Sequence, residues 1–216
     1  MSRSQRRSEK RPSILIFGES SNDTGALQHL LKRAAPEIEE RFTLKPMRTP
    51  ISLSRDANPS TQGKWMRDLR DVVTATQRKG DAVHAIVVHR DSDRYDDSAS
   101  GELQDQLAEH FSKVIPVAAV AVQELEAWFL LFPSAFPRVH STAWRDVTWV
   151  SSDTSRINNA KQELMARTSR LSAGNRPKRY AEADSTSIAE AIAHHQVPQV
   201  GENFSWDRFV GSASAL

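Results

Sequence analysis

The sequence predicts an α/β fold: a mostly parallel sheet with helices on both faces, followed by a helical C-terminal extension. Three observations carry that expectation. Short, continuously apolar runs recur along the first 132 residues, amphipathic stretches at helical spacing separate them, and the alternation stops beyond Pro137. Strands that are apolar without interruption are buried on both faces, as in a parallel sheet covered by helices.

The run "SILIF" at 13–17, bounded by Pro12 and Gly18, reads as the first buried strand. Asn22 and Asp23 are N-cap candidates for a helix whose Leu27, Leu30, Leu31 and Ala34 share one face, closed near Pro36. "FTLKPM" at 42–47 reads as a strand that Pro46 confines to a sheet edge. After a loop containing Pro50 and Pro59, Trp65, Met66, Leu69, Val72, Val73 and Thr76 mark a helix ending around Gly80.

"HAIVVH" at 84–89 is the next buried strand, Leu103, Leu107 and Phe111 stripe another helix, and "VIPVAAVAV" at 114–122 is a further strand. "QELEAWFLLF" reads as a short helix or tight turn ended by Pro133. Further on, "TAWRDVTWV" is a strand or packing loop, 157–170 and 185–195 are helices, and "FSWDRFV" is a docking turn. The expected organisation is therefore a disordered basic tail at 1–12, an α/β core at 13–136 and a helical extension at 137–216 packed on that core.

Composition sets outer limits. The 216 residues are 38% hydrophobic and 26% charged, enough for one sizeable core. No apolar run approaches the ~20 residues of a membrane helix, the basic N-terminus lacks the apolar segment of a secretory signal, and there is no cysteine. Disulfides and thiolate metal sites are excluded, and a cytoplasmic location is expected. The net charge of +2 is uneven: residues 1–12 carry +4, leaving −2 for the rest, so the pI near 9.0 does not describe a generally basic surface. Residues 155–180 form a second basic stretch, with seven Lys or Arg against one Glu.

Chemistry concentrates where three strands end. The first runs into Glu19, the strand at 84–89 into Asp91 and Asp93, with Asp96 and Asp97 just beyond, and the strand at 114–122 into Glu124 and Glu126. In an open parallel sheet the loops after the strands converge, so these acids meet at one edge. Carboxylates brought together repel unless a cation neutralises them. Hard oxygen donors in such number suit Mg²⁺ or Mn²⁺. Taken singly, each has a plain reading: Asp in a turn, Glu in the first turn of a helix. Their recurrence at three strand ends favours a joint site.

"ILIFGESSNDTGALQHLL" followed by "IVVHRDSD" resembles the Toprim domain of topoisomerases, primases and overcoming-lysogenization-defect nucleases, in which a Glu follows strand one and an Asp-x-Asp a later strand. "VQELEAWFLLFP", "RINNAKQELM", "RYAEADSTSIAEAI" and "NFSWDRFV" are similar to a narrower Toprim-like family of bacterial proteins with an E-x-E-A-W segment. Two departures stand out: Ser20 follows the Glu where Toprim usually has Gly, and His89 precedes "RDSD" where apolar residues are usual. The resemblance spans roughly residues 13–210.

It implies metal-dependent phosphodiester hydrolysis, an endonuclease using Mg²⁺ or Mn²⁺ as effector of a separately encoded ATPase in bacterial defence. Glu19 is then a ligand or general base, Asp91 and Asp93 hold metal, and Glu124 and Glu126 hold or position a second ion. Lys161 offsets phosphate charge. The expected partners are nucleic acid, DNA before RNA, the ATPase and, as an option, a second copy of the chain. The chain itself has no G-x-x-x-x-G-K-[ST] loop for ATP.

The main rival is a non-catalytic Toprim-like module that docks on an ATPase and nucleic acid. A haloacid-dehalogenase-type phosphatase would place its D-x-D after the first strand, which here ends on Glu19. A nucleotide-sugar transferase would need neither Glu19 nor E-x-E. Trp128, Trp144 and Trp149 read as packing anchors. His194 and His195 read as helix-end residues, and Arg176, Lys178 and Arg179 as phosphate contacts or a solvated loop.

Overall fold

A computed structural model of the chain describes residues 10–48, 59–92, 98–147, 152–169, 178–194 and 196–216. Strand β1 (Ser13–Phe17) leads into helix α1 (Ser21–Ala34), a short helix α2 (Ile38–Arg41) and strand β2 (Thr43–Pro46). Helix α3 (Pro59–Arg78), strand β3 (Val83–Asp91), helix α4 (Ser98–His110) and strand β4 (Ile115–Ala121) follow. Then come the short helices α5 (Glu126–Phe129) and α6 (Phe136–Val139), and the longer α7 (Ala160–Ser169), α8 (Ser185–His194) and α9 (Phe204–Ser214). The fold is α/β, as the alternation of runs predicts.

The described strands form one sheet, ordered β2-β1-β3-β4, with every pairing parallel. Both faces are buried, and alternate residues serve opposite sides. Ile14, Ile16, Ala85, Val87, Val117 and Ala119 face one apolar cluster with α1, α8 and α9. Leu15, Phe17, Ile86, Val88, Ala118 and Val120 face the other, with Trp65 and Leu69 of α3 and Leu103 and Leu107 of α4. This double burial is why the strands lack a polar period. β2 lies at an edge, where the missing N–H of Pro46 costs no ladder bond.

The extension belongs to the first of these clusters. Trp128 is fully buried against Phe209 and Trp206 of α9, at ring separations of 5.1 and 5.5 Å. Its indole N–H donates to Ser205 Oγ at 2.8 Å, and Ser205 Oγ also accepts from the Val122 amide at 3.1 Å. "FSWDRFV" is thus not a docking turn but the start of a three-turn helix, N-capped by Asn203. α1 and α8 approach so closely that a Cβ on Gly25 would come within 2.6 Å of Thr186 Oγ1.

Two local differences from the sequence reading have clear causes. α1 is N-capped by Ser20, not Asn22 or Asp23: Ser20 Oγ accepts from the Asp23 amide while the Asp23 carboxylate accepts from the Ser20 amide. At the other end of the chain's first segment, Lys10 and Arg11, expected in a solvated tail, are tied down. Lys10 pairs with Asp81, which Lys45 also holds, and Arg11 donates to the Glu39 carbonyl. The rest of the expected tail, residues 1–9, lies outside the described residues, as do Asp93, Asp96, Asp97, Trp149, Arg176 and His195. Among the described residues no helix is long and apolar enough to cross a membrane.

Candidate functional site

The strand order reverses between β1 and β3: the chain goes to one side of β1 to make β2, then returns to the other side for β3 and β4. A crevice opens at such a switch point, beyond the carboxyl ends of the strands. The register aligns Phe17 with Val88 and Asp91 with Ala121. Glu19, two residues past β1, Asp91, the last residue of β3, and Glu124, three past β4, are therefore delivered to the same edge. Glu19, Asp91, Glu124 and Glu126 all line one cavity of about 210 Å³, with Lys161 on its wall. Asp93, the remaining acid of the expected set, falls outside the described residues.

The acids are held differently. Glu19 is exposed, just after Gly18, where a Cβ would crowd Asp23 and Thr24 at 3.2 and 3.3 Å. Asp91 Oδ1 accepts from the Leu125 amide at 3.0 Å and lies 3.4 Å from Nε2 of the buried His89. The other ring nitrogen of His89 sits 2.8 Å from the Ala119 carbonyl. Burial alone would lower the His89 pKa, but the bond and charge of Asp91, helped by Asp23 and that carbonyl, raise it to about 9. The departure from an apolar residue at this position has a structural meaning: an imidazolium anchors the first acid of "RDSD".

Between β4 and the E-x-E pair the backbone turns through Gln123 in the left-handed region, at φ 64°. A non-glycine residue there is strained, and such strain persists only where surrounding packing fixes it. The turn makes Glu124 half-buried and Glu126 buried, only 7% exposed. Glu124 Oε2 accepts from the Lys161 amide at 2.8 Å, and α7 begins just after Asn159, also left-handed at φ 58°. Glu126 Oε1 accepts from the Tyr180 hydroxyl at 2.8 Å. Burial pushes the Glu126 pKa up to about 7. The bonds from Tyr180 and from its own backbone pull against that rise, while the charges of Asp91 and Glu124 add to it. Lys161 Nζ pairs with Glu182, which raises its pKa further.

Sequence reasoning missed Asp23, Tyr180, Glu182 and Ser185. Asp23, Glu182 and Ser185 line the cavity, and Tyr180 stands behind Glu126. The only sequence signal for the latter three was the segment "RYAEADSTSIAEAI", whose residues sit more than 50 positions beyond the E-x-E pair. Lys178 pairs with Asp184 at 3.0 Å, which fastens that segment and favours neither a phosphate contact nor a loose loop.

The donor chemistry fits a hard divalent cation: carboxylate oxygens from three strand ends in one cavity, one of them with its pKa raised partly by the others. Among the described residues, no three His, Cys, Asp or Glu side chains converge as a group able to hold a metal ion. The donors share a cavity without meeting at a point. No protein-family model matches this chain, and neither a curated protein nor a solved structure matches it.

Proposed function

We propose that this chain is a Mg²⁺- or Mn²⁺-dependent nuclease, the effector subunit of a separately encoded ATPase in bacterial defence, acting in the cytoplasm on DNA in preference to RNA. One observation carries the catalytic part: carboxylates following three consecutive strands of the parallel sheet's reversed order line one cavity, opposite a lysine. The ATPase, the defence role and the cellular location rest on the resemblance of the quoted motifs to the Toprim-like family.

Glu19, Asp91, Glu124 and Glu126 would hold the cation, with Asp93 as the fifth acid of the set. A bound divalent ion supplies an activated water and positive charge for the scissile phosphate and leaving oxygen. Glu19, the exposed member, is the one best placed to take a proton from solvent-side water. His89 and the Leu125 amide fix the Asp91 carboxylate. Lys161 presents an ammonium to phosphate, in competition with Glu182.

The test is incubation of the purified protein with plasmid DNA and with structured RNA, in Mg²⁺, Mn²⁺ or chelator, with and without the ATPase. Metal-dependent cleavage lost in Asp91→Asn and Glu126→Gln is the expected result. Metal binding without cleavage under every condition would favour the non-catalytic module, a reading that draws on the lack of a converged donor group among the described residues. Absence of metal binding would overturn the nuclease reading and leave the non-catalytic module.

A further inference from the structure

We infer that Tyr180 is a positioning residue for Glu126, so that the helical extension, and not the sheet alone, completes the acidic site; this rests on the metal reading above. The tyrosine is 1% exposed and is fixed at both ends. Its amide donates to Thr168 Oγ1 at 2.8 Å, and that hydroxyl donates onward to the Leu164 carbonyl within α7. At the other end its hydroxyl lies 2.8 Å from Glu126 Oε1 and 2.7 Å from Ser185 Oγ, at the first residue of α8. Ser185 is 4% exposed.

A hydroxyl has one proton to donate and lone pairs to accept. With Glu126 ionised, the Tyr180 proton goes to the carboxylate, and Ser185 is left as the donor to the tyrosine oxygen. Two helices of the extension thereby aim one phenol at one carboxylate. Oε1 is occupied by that bond, and Glu126 still lines the cavity. Glu126 sits on a four-residue helix that follows a strained turn, which by itself fixes its side chain poorly. Groups that hydrogen-bond a metal-ligating carboxylate set its orientation, and their loss typically weakens metal affinity 10–100-fold.

The experiment is a Mn²⁺ titration of the full chain, following free Mn²⁺ by electron paramagnetic resonance, with melting temperatures measured alongside. Tyr180→Phe keeps the ring and its burial and removes only the hydroxyl. Mn²⁺ affinity at least tenfold weaker than wild type, in a folded protein, is the expected result. Wild-type affinity in a folded Tyr180→Phe protein, whatever its melting temperature, would make the tyrosine a mere strut and overturn the inference alone. No Mn²⁺ binding by wild type would overturn the metal reading and the inference with it. Should Tyr180→Phe not fold, Ser185→Ala decides. A severalfold loss of Mn²⁺ affinity supports the chain of hydroxyls, and unchanged affinity overturns it.

Discussion

The two walls of the cavity are built by opposite means. The sheet-edge wall is assembled locally: each acid ends its strand or follows it by two or three residues, and parallel register brings Glu19, Asp91 and Glu124 to one edge. The extension wall is assembled at long range: Lys161, Tyr180 and Ser185 reach the same place only because α7, Tyr180 and α8 pack onto the core. Charge divides the same way. The sheet side supplies most of the carboxylates, with His89 and the Leu125 amide holding Asp91. The extension supplies an amide, a phenol and an ammonium that hold or balance the others, the ammonium itself paired with Glu182. A site of this kind places its chemistry where topology demands and its restraint where packing permits.

The largest expected effect breaks the first wall. Asp91→Asn keeps an acceptor for the Leu125 amide while removing the charge, so the fold should survive. On the proposed nuclease reading, losing several kcal/mol of metal-borne charge stabilisation should cost roughly 10²–10⁴ in cleavage rate. On the metal reading it should also abolish a melting-temperature rise that Mg²⁺ or Mn²⁺ is expected to give wild type. Asp91→Ala would confound the result, because an orphaned buried N–H costs about 1–3 kcal/mol.

A smaller effect should come from prying the second wall away. Gly25→Ala forces a methyl into Thr186 across the α1–α8 contact. Such overpacking costs about 1–3 kcal/mol. Calorimetry should show a lowered melting temperature and, because Tyr180 and Ser185 shift with α8, weaker Mn²⁺ binding. Lowered stability with undiminished Mn²⁺ affinity would show the walls to be independent.

The pH dependence is subtler. Folding raises the Glu126 pKa from 4.5 to about 7, so the stability tied to its protonated form is whole below pH 4.5 and lost as pH rises through 7. His89 behaves alike in a higher window, whole below 6.5 and lost as pH rises through 9. In metal-free buffer, wild type should lose stability between pH 5 and 8, and Glu126→Gln should flatten the lower part of that fall. A Glu126→Gln profile parallel to wild type would remove the carboxylate from the cause. Cation binding opposes the proton, so saturating Mn²⁺ should reverse the wild-type slope.

The smallest effect lies at the N-terminus. Deleting residues 1–9 should leave the melting temperature unchanged. Deleting 1–11 should lower it only slightly, because exposed ion pairs such as Lys10 with Asp81 contribute little. A large drop would mean that this segment supports the amino edge of the sheet, opposite the edge from which the acids project.

By itself, the sequence determined the layers and one wall of the cavity. Uninterrupted apolar runs can be satisfied only by burial on both faces, and acids placed just after such runs must emerge at the carboxyl edge, so Glu19, Asp91, Glu124 and Glu126 were legible from strand ends alone. Tertiary structure decided what no local pattern encodes. His89 looked misplaced in an apolar strand until Asp91 and the Ala119 carbonyl were seen beside it. Tyr180 had no period, spacing or charge to mark it, and its role depends on a 2.8 Å contact across 54 residues of chain. "FSWDRFV" became a helix because Trp206 and Phe209 bury against Trp128, a gain that exists only once the core is assembled. Hydrophobic period and strand-end position are properties of adjacent residues, whereas the partner of a buried polar group is fixed by packing between segments far apart in the chain.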